Sequence, residues 1–464
     1  MKTHTTILKV FFSVIFFVTV NGCCHVPQRV ELRAPSVLPN TTRAMKTAGF
    51  WISKIEDPDA VILTAQKIDD LNAQIREQKS VEDITRLEVP VKGKEVAASI
   101  GELLDSVRKQ ALFLRSDKKA GADFFDPLVE AMDLKAIPRK VEPRYGLAVH
   151  YADQRLLPTM EALYAQQGDV DFDELQNSAL DVGTAVVILH QSRDGEWLYG
   201  KTELSGGWVR TQDVALAGLE DIKRYSARDG IVVVTVPKAD IFLNAQLTDH
   251  YDHIRMGVVL PLVSEHDNSV EVTVPTRNDD GKLRDVPGYL KKDEVSIGFL
   301  PYTQRTIIEQ AFKMLNSPYG WGGMYGEQDC SRFIQEIFST AGIMMPRNSG
   351  AQAKVGALIA QFSDQTGPQL KVNALKHEAV AGITTLYMKG HIMLYLGSVD
   401  GRAFAIHAPW GYREACSGGE SGHKCRPEVF HVINRVVVSD LSLGEGTWKK
   451  SLLERLLTIR VIKP

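Results

Sequence analysis

Cysteine is scarce in this chain, five in 464 residues. That is too few for the disulfide framework that replaces a large core in small secreted domains. A dominant charge is also missing. Fifty-four lysines and arginines face 57 aspartates and glutamates, a net charge of −3, with no basic block. Nothing in that balance points to a nucleic-acid partner. The apolar run near the start, Val10 to Val18, is shorter than the ~20 residues that cross a bilayer as a helix. What remains is a chain long enough to bury ample core and to divide into two to four domains.

The first residues read as an export signal. Met1 to Lys9 carries two lysines and no acid, and the short apolar run follows directly. Val20-Asn21-Gly22-Cys23 then resembles a bacterial lipoprotein cleavage box, although Asn21 is not the usual small residue. The expectation is a signal peptide over residues 1–23 and a lipid anchor on Cys23, with a plain signal peptide cleaved nearby as the alternative. A multiply acylated Cys23 would hold the mature protein firmly, since each buried methylene contributes about 0.8 kcal/mol.

The densest pattern lies between Tyr319 and Thr340, YGWGGMYGEQDCSRFIQEIFST. A turn rich in glycine and aromatics runs into Asp329-Cys330-Ser331. Phe333, Ile334, Ile337, Phe338 and Ala341 then recur at the spacing of an amphipathic helix, and Gly342 stands at a C-terminal cap position. Cys330 is thus expected at a helix N-terminus, where free amides and the macrodipole favour a thiolate. A merely buried cysteine fits this local pattern equally well. Further on, Gly390-His391 opens a strand in which His391, Met393 and Tyr395 share one face and Ile392, Leu394 and Leu396 the other. A second strand ends near His407. A cysteine at a helix start, a histidine on one strand and a polar residue on the next make a papain-like arrangement. The first imidazole shuttles a proton and the second group orients it.

These segments resemble the NlpC/p60 cell-wall cysteine peptidases. The resemblance is carried by Tyr319, Trp321-Gly322-Gly323, Asp329-Cys330-Ser331, Gly390-His391 through Tyr395-x-Gly397, and His407, in order and spacing. Arg332 departs from the pattern, where the family often has glycine. So does the loop between Gly323 and Asp329. The resemblance implies an α+β papain-like domain over residues 301–464, with Cys330, His391 and His407 catalytic and no cofactor or metal. Met345-Pro346-Arg347-Asn348-Ser349 resembles a family Pro-Arg-Asp-Ser segment, so Arg347 and Ser349 are candidate substrate contacts beside Tyr319, Trp321 and Ser331. Ser349 is equally a candidate cap for the helix that follows. Asp329 is expected either to bind the free amine of a substrate N-terminal alanine, as in relatives bearing SH3-like domains, or to cap the Cys330 helix.

Upstream, the period is two. Ala185 to His190 and Trp197 to Lys201 read as strands joined by Ser192-Arg193-Asp194-Gly195, and Gly206-Gly207-Trp208-Val209 opens another. Residues 141–220 look like the bacterial SH3-like barrels found beside NlpC/p60 domains. Residues 221–300, with strands near Ile231–Val236, Val258–Val263 and Val270–Val274, read as a second, diverged barrel. Trp197, Trp208 and Tyr289 are read as barrel core rather than peptide contacts. Residues 24–140 are expected to be a proline-bearing tether followed by helices, one of them starting near Asp57-Pro58-Asp59 with Ile62, Ile68, Leu71 and Ile75 buried.

Cys416 and Cys425 bracket an eight-residue loop and form a candidate disulfide. A metal site with His423 and His431 is the alternative, at a spacing that matches no zinc knuckle. By resemblance, the partner is a peptidoglycan stem peptide and the bond cut joins γ-D-glutamate to meso-diaminopimelate or lysine. The membrane is reached through the lipid anchor, in the cell envelope, and a monomer is expected. Two rival readings are an inactive wall-binding lipoprotein and a thiol amidase or acyltransferase on the same fold.

Overall fold

The computed structural model describes residues 38–463 apart from 88 and 416–427. Three sheets carry it. The first has seven strands between Arg144 and Ala217, the second seven between Ile231 and Ile297, and the third six between Ala357 and Val461. Numbered along the chain within each unit, both seven-stranded sheets follow the order seventh, first, fourth, fifth, sixth, second, third. The second is therefore the same antiparallel barrel topology as the first, although its sequence has drifted. Trp208 is fully buried and Trp197 nearly so inside the first barrel, which makes them core, while Tyr289 is half-buried on the second.

In the third unit the strand order is Ala357–Gln361, Thr458–Val461, Thr384–Met388, His391–Val399, Arg402–His407, Val437–Asp440. Alternation sorts its faces. Ile392, Leu394 and Leu396 pack with Phe333, Ile334, Ile337 and Phe338 of the helix Cys330–Ser339, while Met393 and Tyr395 join Leu375, Leu452 and Leu456 on the opposite face. Gly342 closes that helix at φ +78°, a left-handed position that favours glycine, and Ile343 N–H reaches back to the Phe338 carbonyl.

The helix is not amphipathic in its setting. Its polar side, Arg332, Gln335 and Glu336, is buried as well, because both barrels lie over it. Periodicity within a helix reports polarity, and polarity can be satisfied by other protein as well as by water.

The N-terminal residues divide between two neighbours. Ala48–Ile52 and Ala65–Glu77 dock on the third unit, with Trp51 wholly buried 5.5 Å from Phe404 and Ile68, Leu71 and Ile75 in the same core. The Asn72 amide donates to Gly342 O and accepts from Met344 N–H. Gly93–Arg108 and Ala122–Met132 instead share the barrel core. Two expectations change here. The end of the presumed tether is packed, with Leu38 and Thr41 buried and Asn40 bonded to Asp440. Asp57-Pro58-Asp59 forms a turn, and the helix begins at Ala65. The turn is held from outside: Pro58 O accepts Arg305 N–H, and Asp59 pairs with the Arg305 guanidinium. No helix among the described residues is long and apolar enough to cross a membrane.

Candidate active site

Cys330 is the first residue of its helix, and Asp329 is the N-cap. Asp329 Oδ1 accepts from the amides of Ser331 and Arg332 and from the Ser331 hydroxyl. Arg347 then clamps both carboxylate oxygens, at 3.2 Å to Oδ1 and 2.7 Å to Oδ2. That cap leaves the Cys330 amide as the free donor of the helix's first turn. The guanidinium, together with the amides and the Ser331 hydroxyl, holds Asp329 below the usual carboxylate range despite its burial.

The thiol differs from the expected thiolate. Burial, and next the Asp329 carboxylate, push the Cys330 pKa up to about 12. Opposing them, the Ile392 and Ser331 amides and the Arg347 guanidinium pull it down by less. The helix terminus is thus outweighed by desolvation and by its own cap.

The Ile392 amide belongs to the residue after His391, so the sulfur sits at the start of the strand that carries the histidine. His391 Nε2 lies 2.6 Å from His407 Nδ1, and His407 Nε2 lies 2.8 Å from Ser439 Oγ. His407 and Ser439 are completely buried. For His391 to present a basic Nδ1 to the thiol, its proton must be on Nε2. His407 Nδ1 then accepts that hydrogen bond, and the His407 Nε2 proton points to Ser439. Burial pushes His391 down to about 3, with the Arg455 cation adding to it, and lowers His407 as well, with His391 adding to it. These shifts favour a neutral thiol and neutral imidazoles.

The first barrel completes the surroundings. Gly322 and Gly323 take φ of +60° and +88°, and a Cβ at Gly322 would fall 2.7 Å from Gln176 Cγ. Both the left-handed backbone and the barrel's approach require glycine there. Tyr151 donates to Gly323 O at 2.7 Å, Trp321 Nε1 donates to Asp173 O at 3.0 Å, and Arg347 Nε reaches Ser178 Oγ at 3.1 Å. Phe172 of the barrel packs edge-on against Tyr319, Trp321 and Trp410. Behind the helix, Asp181 of the first barrel binds Arg255 of the second and Arg332 of the helix, and Arg332 also binds Glu336. Arg332, the departure from the glycine of the resembled pattern, is therefore one link between helix and barrels, beside the Arg255–Glu336 pair.

The expected residues separate as follows. His391 and His407 are hydrogen-bonded, and Cys330 packs in the same core as Ile392, the residue after His391, with Asp329, Ser331 and Arg347 tied to one another beside it. Tyr319 is half-buried, its hydroxyl pushed well up by burial and by the nearby Asp329 and Cys330 charges. Trp321 stands in the aromatic wall. Ser349 does not cap its helix; the Asn348 side chain does, accepting from Ala351 N–H. Cys23, Cys416, Cys425 and His423 lie outside the described residues. His431 bonds Glu414, and no metal-holding cluster occurs among the described residues. Ser439, Asp181, Phe172 and Trp410 were not anticipated. Only Ser439 left a trace, a polar residue in the apolar run Val436-Val437-Val438.

A sheet with a cysteine-bearing helix docked beside a histidine strand is the papain-like class of cysteine hydrolase folds. Residues 316–417 match the NlpC/P60 family, and residues 162–210 match an SH3 domain of the SH3b1 type. An NlpC/P60 match thus follows an SH3 match along the chain. A γ-D-glutamyl-L-lysine dipeptidyl-peptidase of Bacillus cereus is 28% identical over 189 residues, covering 38% of this chain and 49% of that protein. One of the same name from Bacillus subtilis is 39% identical over 106 residues, covering 23% and 36%. The chain thus spans half the length of these relatives or less. The solved NlpC/P60 endopeptidase of Photobacterium damselae subsp. piscicida superposes with a TM-score of 0.73 over 93% of this chain and 99% of that one, at 20% identity. That likeness is one of fold.

Proposed function

We propose that the protein is a cysteine peptidase that hydrolyses the bond between γ-D-glutamate and the diamino acid of peptidoglycan stem peptides. The observation that carries this is the hydrogen-bonded run His391, His407, Ser439 on the strands beside the helix that Cys330 opens, in a chain whose relatives bear γ-D-glutamyl peptidase names. His391 Nδ1 takes the Cys330 proton as the sulfur attacks the carbonyl. The Cys330 amide, left free by the Asp329 cap, stabilises the oxyanion, a contribution of about 3 kcal/mol per donor elsewhere. His391 then returns the proton to the leaving amine. Water, deprotonated by the same imidazole, hydrolyses the thioester and restores the thiol.

Because thiol and imidazole both favour their neutral forms, proton transfer is coupled to attack, and substrate binding must supply part of its driving force. Asp329 is the proposed partner for a free N-terminal L-alanine. Arg347 is the single partner of its Oδ2, so a lone pair remains for an ammonium, with Tyr319 and Ser331 alongside. The aromatic wall of Phe172, Tyr319, Trp321 and Trp410 supports a narrow cleft suited to released peptides over intact wall. Export, with lipidation at Cys23, would place the enzyme in the cell envelope.

The test is cleavage of L-Ala-γ-D-Glu-meso-diaminopimelate, free or N-acetylated, by protein starting at residue 25 and by its Cys330→Ala variant. Cleavage of the free peptide alone, lost in the variant, is expected. Cleavage of both peptides would remove the amine role of Asp329 and keep the peptidase.

A further inference from the structure

Arg455 ends the short helix Leu452–Arg455, just before the strand Thr458–Val461. Leu457 N–H binds Tyr387 O, Tyr387 pairs with Ile392, and Met388 pairs with His391. Arg455 therefore stands at the same end of the sheet as the reactive groups, on the side of His391 away from the Cys330 helix, whose core is separate from that of Leu452 and Leu456. Its charge is felt at His391.

The guanidinium is half-buried, and no carboxylate among the described residues pairs with it. The adjacent Glu454 is turned to the other end of the helix, where Ser451 binds it through amide and hydroxyl. The remaining charges around His391 are accounted for: Asp329 is bound by Arg347, and His407 by Ser439. A half-buried arginine without a counter-ion costs stability, and burial is the sole influence on its own pKa, which it lowers. It also opposes the imidazolium that His391 must become. Both penalties vanish when an anion arrives.

We propose that Arg455 binds a carboxylate of the leaving diamino acid, on the amine side of the scissile bond, and so selects substrates by that anion. The inference rests on the peptidase reading above. Carboxylate is the matching chemistry because a guanidinium presents two parallel donors to two oxygens. Meso-diaminopimelate offers two such groups, on the α carbon and at the end of its side chain, whereas lysine offers only the first. Binding neutralises the cation next to His391 as the reaction begins, so the correct leaving group also makes the base stronger.

The experiment compares kcat/KM of the protein from residue 25, and of R455Q and R455K, on three peptides. These are L-Ala-γ-D-Glu-meso-diaminopimelate, its α-amide, and L-Ala-γ-D-Glu-L-Lys. If the side-chain carboxylate is bound, wild type prefers diaminopimelate over lysine by about ten-fold or more, and R455Q erases the preference while R455K keeps part of it. If the α-carboxylate is bound, the preference lost in R455Q is that of free acid over amide. In either case R455Q melts at or above the wild-type temperature, since it removes an unpaired charge. Equal rates of wild type on all three peptides, or equal losses on all three in R455Q, would overturn the proposal. Should none be cleaved, calorimetry with free meso-diaminopimelate decides: binding lost in R455Q keeps the carboxylate site while the peptidase reading fails, and no binding ends both.

Discussion

Replacing Asp181 by alanine is the most informative perturbation of the scaffold. Its carboxylate accepts from Arg255 Nε at 2.9 Å and from the Nη2 atoms of Arg255 and Arg332, each at 2.8 Å. Side-chain exposures are 4% for Asp181, 1% for Arg255 and 10% for Arg332, so water cannot substitute for the lost oxygens. D181A leaves two buried guanidiniums facing one carboxylate, Glu336, whose Oε2 already lacks a partner and whose pKa burial pushes up. Removing one member of a buried ion pair costs about 3–5 kcal/mol. D181A should therefore lose at least that from the unfolding free energy, read as a lower urea midpoint by tryptophan fluorescence. The barrels and the Cys330 helix meet through this cluster, so the transition should also split into two. D59A is the control, because its pair with Arg305 is solvent-exposed and screened by water. A loss below 1 kcal/mol in D181A, with one transition, would refute the reasoning.

Three further outcomes follow from the site. S439A removes the acceptor that fixes the His407 tautomer, and kcat should fall about five- to ten-fold with KM little changed, the cost of one hydrogen bond of about 1 kcal/mol; unchanged kcat would remove Ser439 from the relay. Stability should rise with pH between about 3 and 6.5, because His391, lowered to about 3, and His407, also lowered, stay neutral when folded and take up protons when unfolded. Unfolding at pH 4.5 should therefore be easier than at pH 7 by about 2–3 kcal/mol for His391 alone, and H391N should flatten that slope. Above pH 9 the sign reverses for Cys330, whose folded pKa of about 12 exceeds the unfolded value, so stability declines as pH climbs towards 12. The same neutrality predicts slow alkylation of Cys330 by iodoacetamide at pH 7; rapid labelling would mean that the resting site holds a thiolate.

Much of the site was legible because its parts are local. Cys330 is announced by a cap residue and a helical run, His391 by a glycine turn and an alternating strand, and His407 by the next hairpin. Each signal is complete within a dozen residues. What escaped depends on packing between distant segments. Asp181 and Arg332 are 151 positions apart, and neither carries a local sign of its partner. The Cys330 helix reads as amphipathic because its polar face is ion-paired under the barrels, a satisfaction that periodicity cannot tell from hydration. Asp57-Pro58-Asp59 has the composition of a helix start, yet its bonds to Arg305 hold it as a turn. The second barrel was readable from its strand candidates and from Gly288-Tyr289-Leu290, which repeats the Gly-aromatic-apolar pattern of Gly207-Trp208-Val209, and its likeness to the first lies in strand order, which sequence does not display.

The central claim is that Cys330, activated by His391, cuts at γ-D-glutamate. Its most direct test is mass spectrometry of L-Ala-γ-D-Glu-meso-diaminopimelate incubated with wild type and with Cys330→Ala. The account predicts L-Ala-D-Glu and free diaminopimelate from wild type alone, and a thioester adduct of Cys330 trapped by rapid acid quench. Intact peptide with both proteins, or equal cleavage by both, would contradict it.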